Sequence, residues 1–191
     1  MKLSISNNSL NDNFSEKEIV IGCLKGDVKY QKILFERYSP KFMTVCLRYA
    51  TDQMQAEDML QDAFIRIFNH LDQFKFEGSF EGWMRRIVVN VALKAIKTNR
   101  LSYSTDDDAG VQIPDTSTDA PSHLSESELL RLIKQLPTGY RIIFNLHAIE
   151  GFSHDEIGDM LKIKASTSRS QLVKARKMLQ QQIINLQKIA V

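Results

Sequence analysis

The chain has 191 residues, 25 Lys and Arg against 23 Asp and Glu, 43% apolar residues, and only 8 Gly and 4 Pro. That composition excludes wholesale disorder and a collagen-like chain, and it suits a globular protein of one larger or two smaller domains. No run approaches the ~18 consecutive apolar residues of a membrane span, and the polar start Met1-Lys2-Leu3-Ser4 has no apolar stretch for a signal peptide. Cys23 and Cys46 are too few for a disulfide framework, so a reduced, cytoplasmic protein is expected.

The near-neutral balance conceals an uneven distribution. Residues 1–100 carry 15 basic and 12 acidic side chains, residues 101–126 none basic and 6 acidic, and residues 127–191 carry 10 basic and 5 acidic. Beyond Asp159 no acidic residue occurs, yet Lys162, Lys164, Arg169, Lys174, Arg176, Lys177 and Lys188 follow. A terminal segment without carboxylates suits a polyanionic partner.

The first 18 residues read as a polar tail. From Ala56, the apolar residues Met59, Leu60, Ala63, Phe64, Ile67, Phe68 and Leu71 recur as one face of a helix. The other face carries Asp58, Gln61, Asp62, Ile65 and Asn69. A core helix with a wet side accounts for most of these, but Ile65 among carboxylates equally suits a contact surface. Phe74, Phe76 and Phe80 then cluster around Gly78 in a loop signal, where they either plug the core or present rings. A helix over Glu81–Arg100 follows, with Trp83, Ile87, Val91 and Ile96 spaced for burial and Arg85, Arg86, Asn90, Lys94, Lys97 and Arg100 as a basic, amide-bearing remainder. Aromatics beside such a helix can stack unpaired bases while cations hold phosphates; a stacked core with a solvated basic face is the plainer alternative.

Residues 102–126 are rich in Ser, Thr, Asp and Pro, with helix-breaking Pro114 and Pro121, and predict a flexible acidic linker. The run Asp106-Asp107-Asp108 is read as solvated tether rather than metal site, because adjacent carboxylates repel and are not preorganised. Leu129, Leu132, Ile133 and Leu136 then predict a short helix before Pro137, and Tyr140, Ile143, Phe144 and His147 a second that stops at Gly151. Ser153 with Glu156 has capping-box spacing and opens a third. After the turn Lys162-Ile163-Lys164, a last helix from about Ala165 buries Leu172, Ala175, Leu179, Ile183 and Leu186. Two helices joined by so short a turn, the second basic, form a helix-turn-helix. At 100° per residue its outward side holds Ser170, Val173, Lys174 and Lys177, with Arg169 and Arg176 on the flank and Thr167 near the helix N-terminus.

These segments carry a family resemblance. The run Ala56-Glu57-Asp58-Met59-Leu60-Gln61-Asp62-Ala63-Phe64 resembles the core-binding segment of bacterial sigma factors. Phe80 to Asn90, with Phe-x-x-Trp and Arg-Ile-x-x-Asn patterns, resembles their promoter-melting region; Glu156-Ile157-Gly158 through Leu179 resembles region 4. In order, and with only a linker between, they resemble the extracytoplasmic-function (ECF) class of the sigma-70 family. The resemblance implies that Asp58, Gln61, Asp62 and Ile65 grip a coiled coil of the β′ subunit of core RNA polymerase. It implies a single-stranded −10 element held by Phe74, Phe80, Arg85, Arg86, Asn90 and Lys94. It implies a −35 element read by Thr167, Arg169, Ser170, Gln171, Val173, Lys174 and Lys177, with region 4 also touching the β flap. An anti-sigma factor is a further implied partner, with no direct membrane insertion. Gln171 and Ser168 depart from the family, which often has a basic and a β-branched residue there.

The expectation is an all-α protein of two helical domains: a tail over 1–18, a region 2-like domain over 19–101, a linker over 102–126 and a region 4-like helix-turn-helix domain over 127–191. It would direct core polymerase to promoters and assist melting, without a catalytic site, metal or cofactor; His70, His123, His147 and His154 are read as surface or core residues. The alternative is a stand-alone dimeric helix-turn-helix regulator binding two half-sites about 34 Å apart. A nuclease using the aspartate run is a third.

Overall fold

The computed structural model describes residues 14–102 and 125–189, and the chain divides into two compact units at Tyr103–Ser104. Among the described residues all regular structure is helical, as expected. Residues 103–124, which hold most of the expected linker and the aspartate run, lie outside the described residues, while Ser102 belongs to the helix before them and Ser125 and Glu126 to the start of the next.

In the first unit, four short polar side chains set the helix starts. Ser15 forms a capping box with Glu18 and opens α1 (Glu16–Leu24). The tail expected through residue 18 therefore ends earlier, because this box already satisfies the first free N–H groups of a helix. Asp27 and Asp52 accept from Lys29 and Gln55 N–H to cap α2 (Val28–Tyr49) and α3 (Gln53–Asn69). A single-turn 3-10 segment, Leu71–Gln73, precedes the aromatic loop, and α4 spans Phe80–Ser102. Ser79 starts α4 by accepting from Gly82 N–H with its hydroxyl and from Trp83 N–H with its carbonyl.

Helix α2 is the spine, packed against α1, α3 and α4. Its buried Ile33, Leu34, Tyr38, Phe42, Val45, Cys46 and Tyr49 recur at helical spacing. Cys23 and Cys46 are free and buried, and burial pushes their thiols up to about 11 and about 12. Helix α3 turns Ala56, Met59, Leu60, Ala63, Phe64 and Ile67 inward as its spacing predicts. Helix α4 departs from expectation. It buries Met84, Val88, Val89, Val91, Ala92 and Ile96, and leaves Trp83 and Ile87 half-buried. Phe80 takes the first core position, and counting on by four gives Met84, Val88 and Ala92, a face rotated from the one read through Trp83.

The second unit is built around its last helix. Ser125, in a capping box with Glu128, opens α5 (Glu126–Gln135). Helix α6 (Thr138–Phe144) continues into a wider π turn, Asn145–Ile149, and stops at Gly151, whose φ of 80° reverses the chain. The expected box of Ser153 and Glu156 opens α7 (His154–Leu161). Helix α8 (Ala165–Ile189) packs against α5, α6 and α7. Leu132 and Ile133 of α5, with Leu136 at its C-cap, meet Ala175 and Leu179 of α8 in the core, flanked by Tyr140, Phe144, Met178, Ile183 and Leu186. Leu129, expected on this face, is exposed.

The α7–α8 turn is tight. Lys162 adopts the left-handed conformation at φ 58°, and Ile163 N–H donates to Gly158 carbonyl at 3.0 Å. A Cβ on Gly158 would stand 2.8 Å from the Ile163 carbonyl oxygen, and backbone on both sides leaves no flexible group to move. Gly158→Ala is accordingly expected to destabilise this unit by about 1–3 kcal/mol. A thermal melt of the full chain followed at α5–α8, by amide exchange, checks this; unchanged protection there would contradict it.

Candidate macromolecular interfaces

Helix α3 has a back as well as a front. Asp58, Gln61, Asp62 and Ile65 are all exposed there, Ile65 at 58%. Met54, at 72% exposure, lies eleven residues before Ile65, three helical turns along the same side. The sequence reading passed over it, although the eleven-residue interval is the signal. Two exposed large hydrophobics with carboxylates between them form one acidic-apolar stripe, which solvation alone does not favour.

The aromatic loop divides its rings between core and solvent. Phe80 is 2% exposed and Phe74 8%. Phe80 meets Tyr38 edge-on at 5.9 Å, Phe74 at 4.9 Å and Trp83 in a stack at 5.9 Å, while Phe74 lies 5.6 Å from Trp83. Phe74 and Phe80, both expected at the −10 element, are thus core residues whose packed rings offer no free face in this structure. Phe76 is the ring left outside. It is 46% exposed, with its centroid 5.2 Å from that of Phe74 and φ at 59°. A left-handed backbone at a non-glycine residue costs on the order of 1 kcal/mol, and here it accompanies a phenyl ring outside the core.

On α4, Arg86, Asn90, Lys94 and Lys97 are exposed at intervals of four, four and three, so they share one side, with half-buried Trp83 at its start. Arg85 is not among them. Its guanidinium donates to Glu81 at 3.1 Å, and Lys41 of α2 bonds the other oxygen of the same carboxylate at 2.5 Å. These bonds, Lys41 first, hold the Glu81 carboxyl below its ordinary range against the opposing effect of burial. Arg85, expected among the phosphate contacts, is paired along α4 with the same carboxylate that Lys41 ties to α2.

On α8, Ser170, Val173, Lys174, Arg169 and Arg176 are exposed, and Thr167 and Lys177 half-buried. The Ser170 hydroxyl donates to the Thr167 carbonyl at 3.0 Å. Gln171 is half-buried on the flank toward α6: its side-chain oxygen is 3.7 Å from where a Cβ on Gly139 would stand. It therefore faces less outward than expected. On the opposite flank, Arg169 and Arg176 bear on His154, which sequence spacing left isolated but which stacks on His147.

The family model described as Sigma-70 region 2 matches residues 34–101, and that described as Sigma-70, region 4 matches residues 126–179. Between them they cover the three helix backs described above. The chain belongs to the sigma-70 family. Within it, the relatives are of the ECF class. An ECF RNA polymerase sigma-E factor of Haemophilus influenzae is 26% identical over 185 residues, 90% of this chain and 97% of that one. The sigma-E factor of Escherichia coli is 28% identical over 188 residues, covering 91% and 97%. An ECF sigma factor SigE of Mycolicibacterium smegmatis is 30% identical over 151 residues, 76% of this chain and 58% of its own. The fold is shared with the sigma factor RpoE of Bartonella quintana, solved with the anti-sigma factor NepR, at 19% identity and a TM-score of 0.53 over 78% of this chain and 94% of that one. This sigma factor has, among its described residues, no helix long and apolar enough to cross a membrane.

The Glu81 clamp is open to test. A carboxyl depressed in the fold contributes stability that is fully present above its ordinary value of 4.5 and is lost as pH falls through the lower folded value. Glu81→Gln is expected to cost the first unit about 1 kcal/mol or less at neutral pH. It is also expected to flatten the acid limb of the stability profile below about pH 4.5. Urea melts of both proteins at several pH values measure it; parallel acid limbs would contradict the clamp.

Proposed function

We propose that this sigma factor carries out promoter-specific initiation through the three helix backs, without chemistry of its own, in the cytoplasm where core polymerase is found. The observation that carries the reading is the α3 stripe. Met54, Asp58, Gln61, Asp62 and Ile65 combine exposed apolar contact with acid, the chemistry that docks on a coiled coil presenting apolar and basic side chains. Its expected partner is the β′ coiled coil of core RNA polymerase.

The melted −10 strand is assigned to Phe76, Trp83, Arg86, Asn90 and Lys94. The aromatic rings offer faces for unstacked bases, Asn90 an amide for a base edge, and the cations phosphate contacts. Because these contacts exist for an opened strand and not for a paired one, binding shifts the duplex toward opening. The −35 element is assigned to the outward side of α8, with Lys174, Ser170 and Val173 at its centre, Lys177, Thr167 and Arg169 supplying phosphate contacts, and Gln171 at the edge. The β flap and an anti-sigma factor are the remaining proposed partners, on the strength of family membership.

Transcription with cognate core polymerase on a fragmented genomic library tests the whole reading: new discrete starts sharing a −35/−10 pair are expected, and their absence with active core would overturn it. Asp62→Arg, or Ile65→Arg, is expected to weaken core binding at least about tenfold while leaving the melting temperature unchanged. Comigration of core with the variant at wild-type affinity would count against the α3 surface. Phe76→Ala should spare core binding and stability but impair permanganate-detected opening, whereas Phe80→Ala should cost about 3–5 kcal/mol of stability. Equal opening by the Phe76 variant and wild type would remove that ring from the mechanism.

A further inference from the structure

A chain of polar contacts links α8 to α7 and to the π turn before it. The rings of His147 and His154 stack with centroids 4.2 Å apart and 14° between planes. His147 Nδ1 lies 2.9 Å from the Phe152 carbonyl oxygen; a carbonyl can only accept, so this nitrogen carries the proton. His154 is the first residue of α7, and its Nδ1 lies 2.9 Å from Ser168 Oγ. Ser168 is fully buried in the first turn of α8, directly before Arg169 and Ser170. Nothing in the recognition of DNA requires a histidine pair at this joint.

We propose that His154 is a positioning residue for −35 recognition: through Ser168 and its stack on His147 it holds the first turn of α8 against α7, and it does so best as a neutral ring. The proposal rests on the reading of α8 as the helix that meets the −35 element. The physical reason is the surroundings of the ring. Burial, the facing His147 of the π turn, and Arg169 and Arg176 of α8 all oppose a charge on His154, and Asp155 of α7 opposes them only in part, so its imidazolium is held below the ordinary range. A proton gained here places a cation against another ring and two guanidiniums, and the relief is for the joint to loosen. By linkage, a histidine depressed in the closed joint stabilises it above about pH 6.5 and progressively less as pH falls through the lower closed-state value. The first turn of α8, which carries Thr167, Arg169 and Ser170, loses its fixed angle on DNA. A loosened helix retains its cations and so its general attraction to DNA; what it loses is discrimination between sequences.

The test uses the full chain with core polymerase on a promoter recovered from the genomic library, with its −35 element intact or scrambled. The readout is the ratio of the two affinities from pH 7.5 to 5.5. For the wild type the ratio should fall on acidification. His154→Ala should lower it about three- to tenfold already at pH 7.5, the size of one lost buried hydrogen bond. His154→Asn keeps a polar atom near Nδ1 without a titrating ring, so it should restore the ratio and flatten its pH profile. A wild-type ratio independent of pH, or a His154→Asn profile that falls like the wild type, would overturn the proposal. A ratio of one for wild type at pH 7.5 would instead overturn the assignment of α8 to the −35 element, which separates the two failures. If His154→Ala alters the melt of the second unit, the His154→Asn profile still decides, because it is compared at equal fold.

Discussion

An amphipathic helix that turns one side into a core leaves the other side outside, and in a protein made of helices those outer sides supply most of the surface available for recognition. The constraint is plainest on α3. Ala56, Met59, Leu60, Ala63, Phe64 and Ile67 occupy the buried side, so Met54, Asp58, Gln61, Asp62 and Ile65 are left outside as a set. The same partition on α8 buries Leu172, Ala175 and Leu179 and exposes Ser170, Val173 and Lys174. Packing thereby sets the angular position of each recognition stripe, and a core substitution that rotated a helix would misplace a surface it never touches.

Phe80 sets that rotation for α4. Its burial against Tyr38, Phe74 and Trp83 contributes roughly 2–3 kcal/mol, and it determines which residues follow it inward. Met84, Val88 and Ala92 go with it, and Arg86, Asn90 and Lys94 are turned out. Phe74 is anchored in the same cluster, while Phe76, between Phe74 and Phe80, lies outside the core with its backbone in the left-handed region. The Glu81 carboxylate, bonded by Lys41 and Arg85, holds the start of α4 to the spine helix beside this cluster.

The second unit joins its helices by backbone closeness as well as by apolar packing. Gly158 admits the Ile163 carbonyl, Lys162 reverses the chain, and His154 reaches Ser168. These features give the short helix-turn-helix a defined angle despite a core of few residues. Ser168 has a local role: its hydroxyl lies 2.9 Å from His154 Nδ1, a contact that Val or Ile at this position would lack.

Local rules carried much of this protein. Helical class, the capping box at Ser153, the helix-turn-helix and the outward set Asp58, Gln61, Asp62 and Ile65 follow from periodicities and short-range hydrogen bonds, which depend on neighbours within about four residues. Local spacing left the rings of the glycine loop open between core and solvent, and only the family resemblance gave Phe74, Phe80 and Arg85 to DNA, because a ring or a guanidinium there has the same sequence whether it points in or out. Only the packing of α2 against α4 decided that Phe80 and Phe74 are core, that Arg85 serves Glu81, and that Phe76 is the exposed ring. Likewise His147 and His154 are seven residues apart across a chain reversal, and Ser168 a further fourteen, so their meeting depends on how three helices close. The sequence by itself determined which helices form and which of their sides are apolar, since those are properties of a few adjacent residues. The tertiary structure decided which polar and aromatic groups remain for partners, since that depends on what the rest of the chain has already covered.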